Sequence, residues 1–123
     1  MALLERQGGD LVVTLSAFEK VAAVHGDVRV PWSCVRHVRV TESPLREVPF
    51  GVRVGTGIPG FLLVGTWRPL SRRPYGKKTF AAARRGEPGV VVELDGAEYR
   101  KLVVSRPDAA EVAASLARDL GRL

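Results

Sequence analysis

The segment from Val90 to the C-terminus constrains the fold more than any other part of the chain. Val90–Leu94 and Tyr99–Val104 are short valine-rich runs of the kind found in β-strands, and the Asp95-Gly96 pair between them is a hairpin turn sequence. Pro107 and Asp108 are residues that commonly begin a helix, and residues 105–121 have helical periodicity. This ending predicts a mainly β domain whose sheet is capped by a C-terminal α-helix over residues 105–121.

The apolar residues of the predicted helix form one stripe. They recur at spacings of three and four residues: Ala109, Val112, Ala113, Leu116 and Leu120. A helix with a single apolar stripe packs that stripe against another element. The helix lacks aromatic residues and a lysine-rich opposite face, which makes it a poor membrane anchor. We therefore expect it to cover the strands that precede it.

Short apolar runs separated by turn residues predict further strands. They lie at Leu11–Leu15, Val28–Val30, Val35–Thr41, Phe50–Val54, Phe61–Trp67 and Thr79–Ala83. Eight prolines and thirteen glycines are scattered between these runs and favour strands and turns over long helices. A chain of 123 residues has the common size of one domain, and no linker divides it. We predict a single domain over residues 1–123, with residues 1–10 as an N-terminal segment before the first strand.

Two segments allow alternative interpretations. Ser16 and Glu19 have capping-box spacing, which favours a short helix from Ala17 to about Val24. A strand at Val21–Val24 that pairs back across the following turn is an equally good interpretation. The glycine-rich run Gly55–Gly60 resembles a phosphate-binding loop, but such a loop opens a helix, whereas this run leads into an apolar strand. It predicts a hairpin or bulge.

The sequence carries no catalytic, metal or cofactor motif. Cys34 cannot form an internal disulfide because it is the only cysteine, and it fits a half-buried strand position. His37 fits the surface of a sheet, and the spacing of these two residues is not typical of a catalytic pair. Glu93 lies within a predicted strand, where alternation turns it outward. We predict a protein that is not an enzyme and binds no metal or cofactor.

The positive charge of the chain is concentrated in residues 66–85. The formal net charge is +6, from nineteen basic and thirteen acidic residues. Residues 66–85 contain seven basic residues and no acidic residue: Arg68, Arg72, Arg73, Lys77, Lys78, Arg84 and Arg85. The other twelve basic residues balance the acidic ones to within one charge. A local excess of this kind attracts anionic partners.

Residues 68–78, here called the basic loop, form the candidate binding site. Its basic residues and the neighbouring aromatic residues are Arg68, Arg72, Arg73, Lys77, Lys78, Trp67 and Tyr75. Basic residues interleaved with aromatic rings suit nucleic-acid phosphates and bases, and clustered basic residues also suit acidic phospholipids. The simpler alternative is a solvated loop that only increases solubility.

The order of the predicted elements resembles bacterial pleckstrin-homology-like (PH-like) domain proteins. The segments that carry the resemblance are Val28–Val35, Phe50–Gly57, Thr79–Ala81 and Val90–Leu94. It implies a barrel of about seven antiparallel strands in two bent sheets, capped by the C-terminal helix. Family members that bind inositol phosphates use basic residues between their first two strands. Here Ser16–Asp27 offers only Lys20 and His25, so that site does not carry over. The resemblance implies an interaction or oligomerisation module.

The expected function is therefore a non-catalytic binding or scaffolding module whose partner is a protein, with self-association as one form. The alternative is binding of an anionic membrane surface or nucleic acid through the basic loop. No apolar stretch approaches the ~20 residues that a membrane span needs. Glu5 interrupts the N-terminal segment, which does not fit a signal peptide. We expect a cytoplasmic protein, peripheral at the inner membrane face if the alternative holds.

Overall fold

A computed structural model describes residues 2–16, 27–48, 51–58, 62–69, 78–97 and 99–121, with side chains for all of these except 51–54, 56–58 and 68–69. It confirms a mainly β fold with a C-terminal helix. Three antiparallel strands form one sheet in the order β1-β2-β3: β1 (Leu3–Gln7), β2 (Asp10–Thr14) and β3 (Val28–Pro31). Six strands form the other in the order β4-β8-β9-β7-β6-β5: β4 (Val35–Thr41), β5 (Gly51–Ile58), β6 (Leu62–Pro69), β7 (Lys78–Arg84), β8 (Gly89–Leu94) and β9 (Tyr99–Ser105). The pairings of the described strands do not close into a barrel.

The N-terminal segment forms a strand that the sequence did not predict. β1 pairs with β2 through the Gly8-Gly9 turn, where Gly8 has a φ of 61°. Within β1 only Leu4 is buried, so the strand lacks the alternating apolar pattern of a half-buried strand. The open choice between helix and strand at residues 17–24 lies outside the described residues.

One strand pair is parallel, so the expectation of antiparallel strands throughout is wrong. The turn after β7 reverses the chain into β8, and the hairpin at Asp95-Gly96 reverses it again into β9. β9 then inserts between β7 and β8, where it runs parallel to β7 and antiparallel to β8. Leu102, Val103 and Val104 of β9 are fully buried. A continuous apolar run of this kind suits a central strand that is covered on both faces.

The helix α1 (Ala109–Gly121) covers one face of the six-stranded sheet, as predicted. Ala109, Ala113 and Leu116 are buried in a core that also includes residues of both sheets. The helix begins four residues later than predicted, because Ser105 belongs to β9 and its Oγ accepts a hydrogen bond from the Arg84 N–H at 2.8 Å. In the described part of the chain, no helix has the length and apolarity needed to cross a bilayer.

A β-bulge changes the faces of β4 from those predicted by simple alternation. The pairing with β8 shifts register between Val35 and His37. The extra residue puts Val35 and Val38, three positions apart, on the buried side, whereas alternation places them on opposite faces. Val40, two residues after Val38, is 41% exposed. His37 is exposed, as predicted, whereas Cys34 is half-buried but lies in a 3₁₀ turn (Trp32–Cys34) and not in a strand.

The glycine-rich run is mostly strand. β5 continues through Gly55 and Gly57 to Ile58, so these residues pair with β6, and residues 59–61 lie outside the described part. Gly55 has a φ of 138°, and a Cβ added there would clash with the Val64 carbonyl oxygen. The glycine is therefore required by the close approach of two backbones, which agrees with a hairpin and not with a phosphate loop.

Candidate functional site

Most of the basic loop lies outside the described residues, namely Arg72, Arg73, Tyr75 and Lys77. Arg68 is described as a backbone position in β6. Trp67 is only 5% exposed and packs with Ala81, Val91 and Val103. Its ring is therefore committed to packing, which contradicts its expected role of stacking on a ligand base.

The basic residues of segment 66–85 that the structure describes separate into two groups. Lys78 and Arg84 are the two ends of β7, about 20 Å apart at the rise of an extended strand. At the Lys78 end, Arg53 and Trp67 are register partners, and Trp67 is also paired with Thr79. The backbones of Arg53, Arg68 and Lys78 therefore occupy neighbouring strands at the end of the sheet from which the basic loop leaves. Arg84 and Arg85 belong to the opposite end.

A second group of charges lies on the sheet face opposite the helix. The Arg39 guanidinium donates two hydrogen bonds to Glu47, from Nη1 to Oε1 at 3.0 Å and from Nη2 to Oε2 at 2.6 Å. The Lys101 Nζ lies 3.6 Å from Glu47 Oε2, and the Arg39 Nη2 lies 4.0 Å from Glu93 Oε1. The Arg39 hydrogen bonds hold the pKa of the Glu47 carboxyl below its usual range, and Glu47 raises the pKa of Arg39. Such matched charges stabilise structure.

Glu47 is positioned by a 3₁₀ turn (Pro44–Glu47) that crosses this face. Leu45 and Val48, within and directly after the turn, pack on the cluster that contains Trp67 and Val103. No strand or helix is predicted between Thr41 and Phe50, because four residues of 3₁₀ turn leave no periodic pattern. The outward position of Glu93 is confirmed, since its side chain is 47% exposed.

The structure also shows the edges of the sheets. In the six-stranded sheet the edge strands are β4 and β5, and in the three-stranded sheet they are β1 and β3. β5 pairs with β6 over eight consecutive residues without a register shift. Among the described strands, none pairs with the other side of β5. An open strand edge presents unpaired backbone N–H and C=O groups to another chain.

No protein-family model, curated protein or solved structure matches the chain. The described residues contain no group of three or more His, Cys, Asp or Glu residues placed to hold a metal ion. What they do present is one long open strand edge and several surface arginines. Both features suit binding to another molecule.

Proposed function

We propose that the protein is a non-catalytic binding module that pairs with a second polypeptide along the open edge of β5. The first partner to consider is another copy of this chain. The observation that supports this is the uninterrupted eight-residue β5, which has no strand on its outer side within the described structure. Pairing through backbone hydrogen bonds needs little from side chains, so it suits a strand with three glycines and one charged residue.

The other three edges are less suited to strand addition. β4 carries a β-bulge and three basic side chains, Arg36, His37 and Arg39, and both features protect an edge. β3 has four residues and ends at Pro31, which lacks a backbone N–H. β1 has five residues, including the charged Glu5 and Arg6. β5 is the longest of the four and is therefore the favoured edge.

The PH-like resemblance stays part of this proposal. Two sheets, a C-terminal helix and the turn at Trp32–Cys34 that carries the chain from one sheet into the other support it. The parallel pairing of β7 with β9 departs from the antiparallel order that the resemblance implies. The interaction role rests on the open edge, whichever family the fold belongs to.

Light scattering across a range of concentrations tests the edge. We expect reversible dimers that are lost in one of two variants, Arg53→Pro and Val54→Pro. Adjacent residues of a strand direct their backbone N–H groups to opposite edges of the strand. One of the two prolines therefore removes an N–H that faces the open edge of β5 and leaves the hydrogen bonds with β6 intact. That variant is the one that keeps the thermal stability of the wild type.

The control is Val40→Lys, which adds a charge at the opposite edge of the same sheet and should leave dimers unchanged. A strict monomer at high concentration would exclude self-association. Dimers that persist in both proline variants would move the interface away from β5.

The second candidate function is binding of anionic phosphate groups by the basic loop, which would place the protein at an acidic membrane surface or on nucleic acid. The backbones of Arg53, Arg68 and Lys78 occupy neighbouring strands at the end of the sheet from which this loop leaves, which favours it. Sedimentation with anionic and neutral liposomes, and with single-stranded RNA, provides the test. We expect binding that weakens with salt and is abolished by Arg72/Arg73/Lys77/Lys78→Glu. Equal binding by wild type and variant would contradict it.

A further inference from the structure

A cavity of about 390 Å³ lies at the end of β7 farthest from the basic loop. One wall is the segment after β4, and the other is the turn between β7 and β8. The lining residues are Glu42, Ser43, Pro44, Leu45, Arg46, Arg84, Arg85 and Gly86. We call this cavity the arginine pocket. Its volume falls within the range of small-molecule sites.

Both walls of the arginine pocket are held in place by hydrogen bonds or by packing. On the β7 side, Ser105 Oγ accepts the Arg84 N–H at 2.8 Å, and the Arg106 N–H donates to the Pro88 carbonyl oxygen at 3.0 Å. On the other side Pro44 is buried against Gly89, where an added Cβ would lie 3.0 Å from the Pro44 Cβ. A ligand would therefore meet walls that are already in place, which limits the entropy lost on binding.

The charge of the lining is positive, with three arginines and one glutamate. Other arginines of the described structure are held by carboxylates, as in the pairs Arg29–Asp10, Arg39–Glu47 and Arg106–Asp108. Within the same described residues, Arg46 and Arg84 form no ion pair with any carboxylate. Arg46 is exposed and Arg84 is half-buried. Two guanidinium groups without a carboxylate partner border one cavity and can bind an added anion.

We infer that the arginine pocket binds a small organic phosphate that also carries hydroxyl groups. A guanidinium group can donate two parallel hydrogen bonds to two phosphate oxygens, so the arginines would bind the phosphate group of the ligand. Pro44 and Leu45 supply apolar surface for the body of the ligand. Glu42, the single carboxylate of the lining, can accept hydrogen bonds from hydroxyl groups. This site is separate from the β5 edge and from the basic loop, so it does not depend on the proposed function.

Amide chemical shifts of the full chain, followed during titration, test the inference. The probes are ribose 5-phosphate, adenosine monophosphate, inorganic phosphate and succinate. We expect saturable shifts at Ser43, Arg46 and Arg84–Gly86 with the two organic phosphates, and weaker binding of inorganic phosphate and succinate. In the double variant Arg46→Gln/Arg84→Gln, affinity should fall at least about tenfold, since each lost charge-assisted contact contributes to binding.

The matched control is Arg100→Gln/Arg118→Gln, which removes the same charge from exposed residues of β9 and α1 outside the arginine pocket. It should bind like the wild type. An equal loss of affinity in both double variants would show that affinity depends only on the net charge of the protein. That result would overturn the inference. So would tighter binding of succinate, shifts confined to other residues, or no saturation at millimolar probe. If the double variant fails to fold, the wild-type shift map and the single Arg46→Gln variant decide the result.

Discussion

The two faces of the six-stranded sheet are covered in different ways. One face carries Val38, Val92, Leu102 and Phe80 in a row across four strands, and the helix and the three-stranded sheet pack over it. The opposite face is covered by a short segment around the 3₁₀ turn at Pro44–Glu47. Its apolar cluster is smaller, and the ion pair of Arg39 with Glu47 lies beside it.

This difference separates two sources of stability. Burial of apolar area on the helix side does not depend on ionisation, so it holds over a wide pH range. On the opposite side the covering segment is attached partly through Glu47, whose carboxylate must be charged to pair with Arg39 and Lys101. The helix side should therefore dominate the free energy of unfolding, while the opposite side should govern its response to acid.

The largest expected effect tests the helix side. Phe80 is fully buried and meets Tyr99 edge to face, with ring centroids 6.2 Å apart. Phe80→Ala removes this packing and leaves a cavity, so the free energy of unfolding should fall by about 3–5 kcal/mol. Urea denaturation measures the change. The exposed Val40→Ala should lose less than about 0.5 kcal/mol. Losses of equal size in the two variants would show that the helix side is not the principal core.

A smaller effect tests the opposite side. Glu47→Gln replaces a bidentate, partly exposed ion pair, and the free energy of unfolding at neutral pH should fall by about 1 kcal/mol. Because folding lowers the pKa of Glu47, its stabilisation is present above the ordinary carboxyl value and is lost as the pH falls below about 5. The difference between wild type and variant should therefore shrink in acid. Urea denaturation at a series of pH values measures both changes.

Glu111→Gln, on the exposed surface of the helix, is the control and should change the free energy of unfolding at neutral pH by less than about 0.5 kcal/mol. The Glu47→Gln variant should still lose some stability in acid, because Arg106 also lowers the pKa of Asp108. A difference between wild type and Glu47→Gln that stays constant from neutral pH into acid would contradict an ionic attachment of the Pro44–Glu47 segment.

The sequence predicted what depends on neighbouring residues. The closing hairpin, its Gly96 turn and the apolar stripe of the helix are local patterns, and all three are confirmed. The insertion of β9 between β7 and β8 could not be predicted, because strand order depends on contacts between distant segments. The continuous basic segment was also misleading, since an extended strand carries Lys78 and Arg84 to opposite ends of a sheet. The arginine pocket could not be predicted, because Arg46 and Arg84 are 38 residues apart in the sequence.

The hydrogen bonds of Arg106 join segments that lie far apart in the sequence. Its guanidinium donates to the Ala2 carbonyl oxygen at 2.7 Å and to both carboxylate oxygens of Asp108, and its backbone N–H holds the turn before β8. Ala2 is synthesised 104 residues before this partner. β9 and α1 are synthesised after the strands of the first sheet, so the face on which that sheet packs is incomplete until both have been made. A nascent chain that stalls before Arg106 should therefore expose its strands to proteases and chaperones.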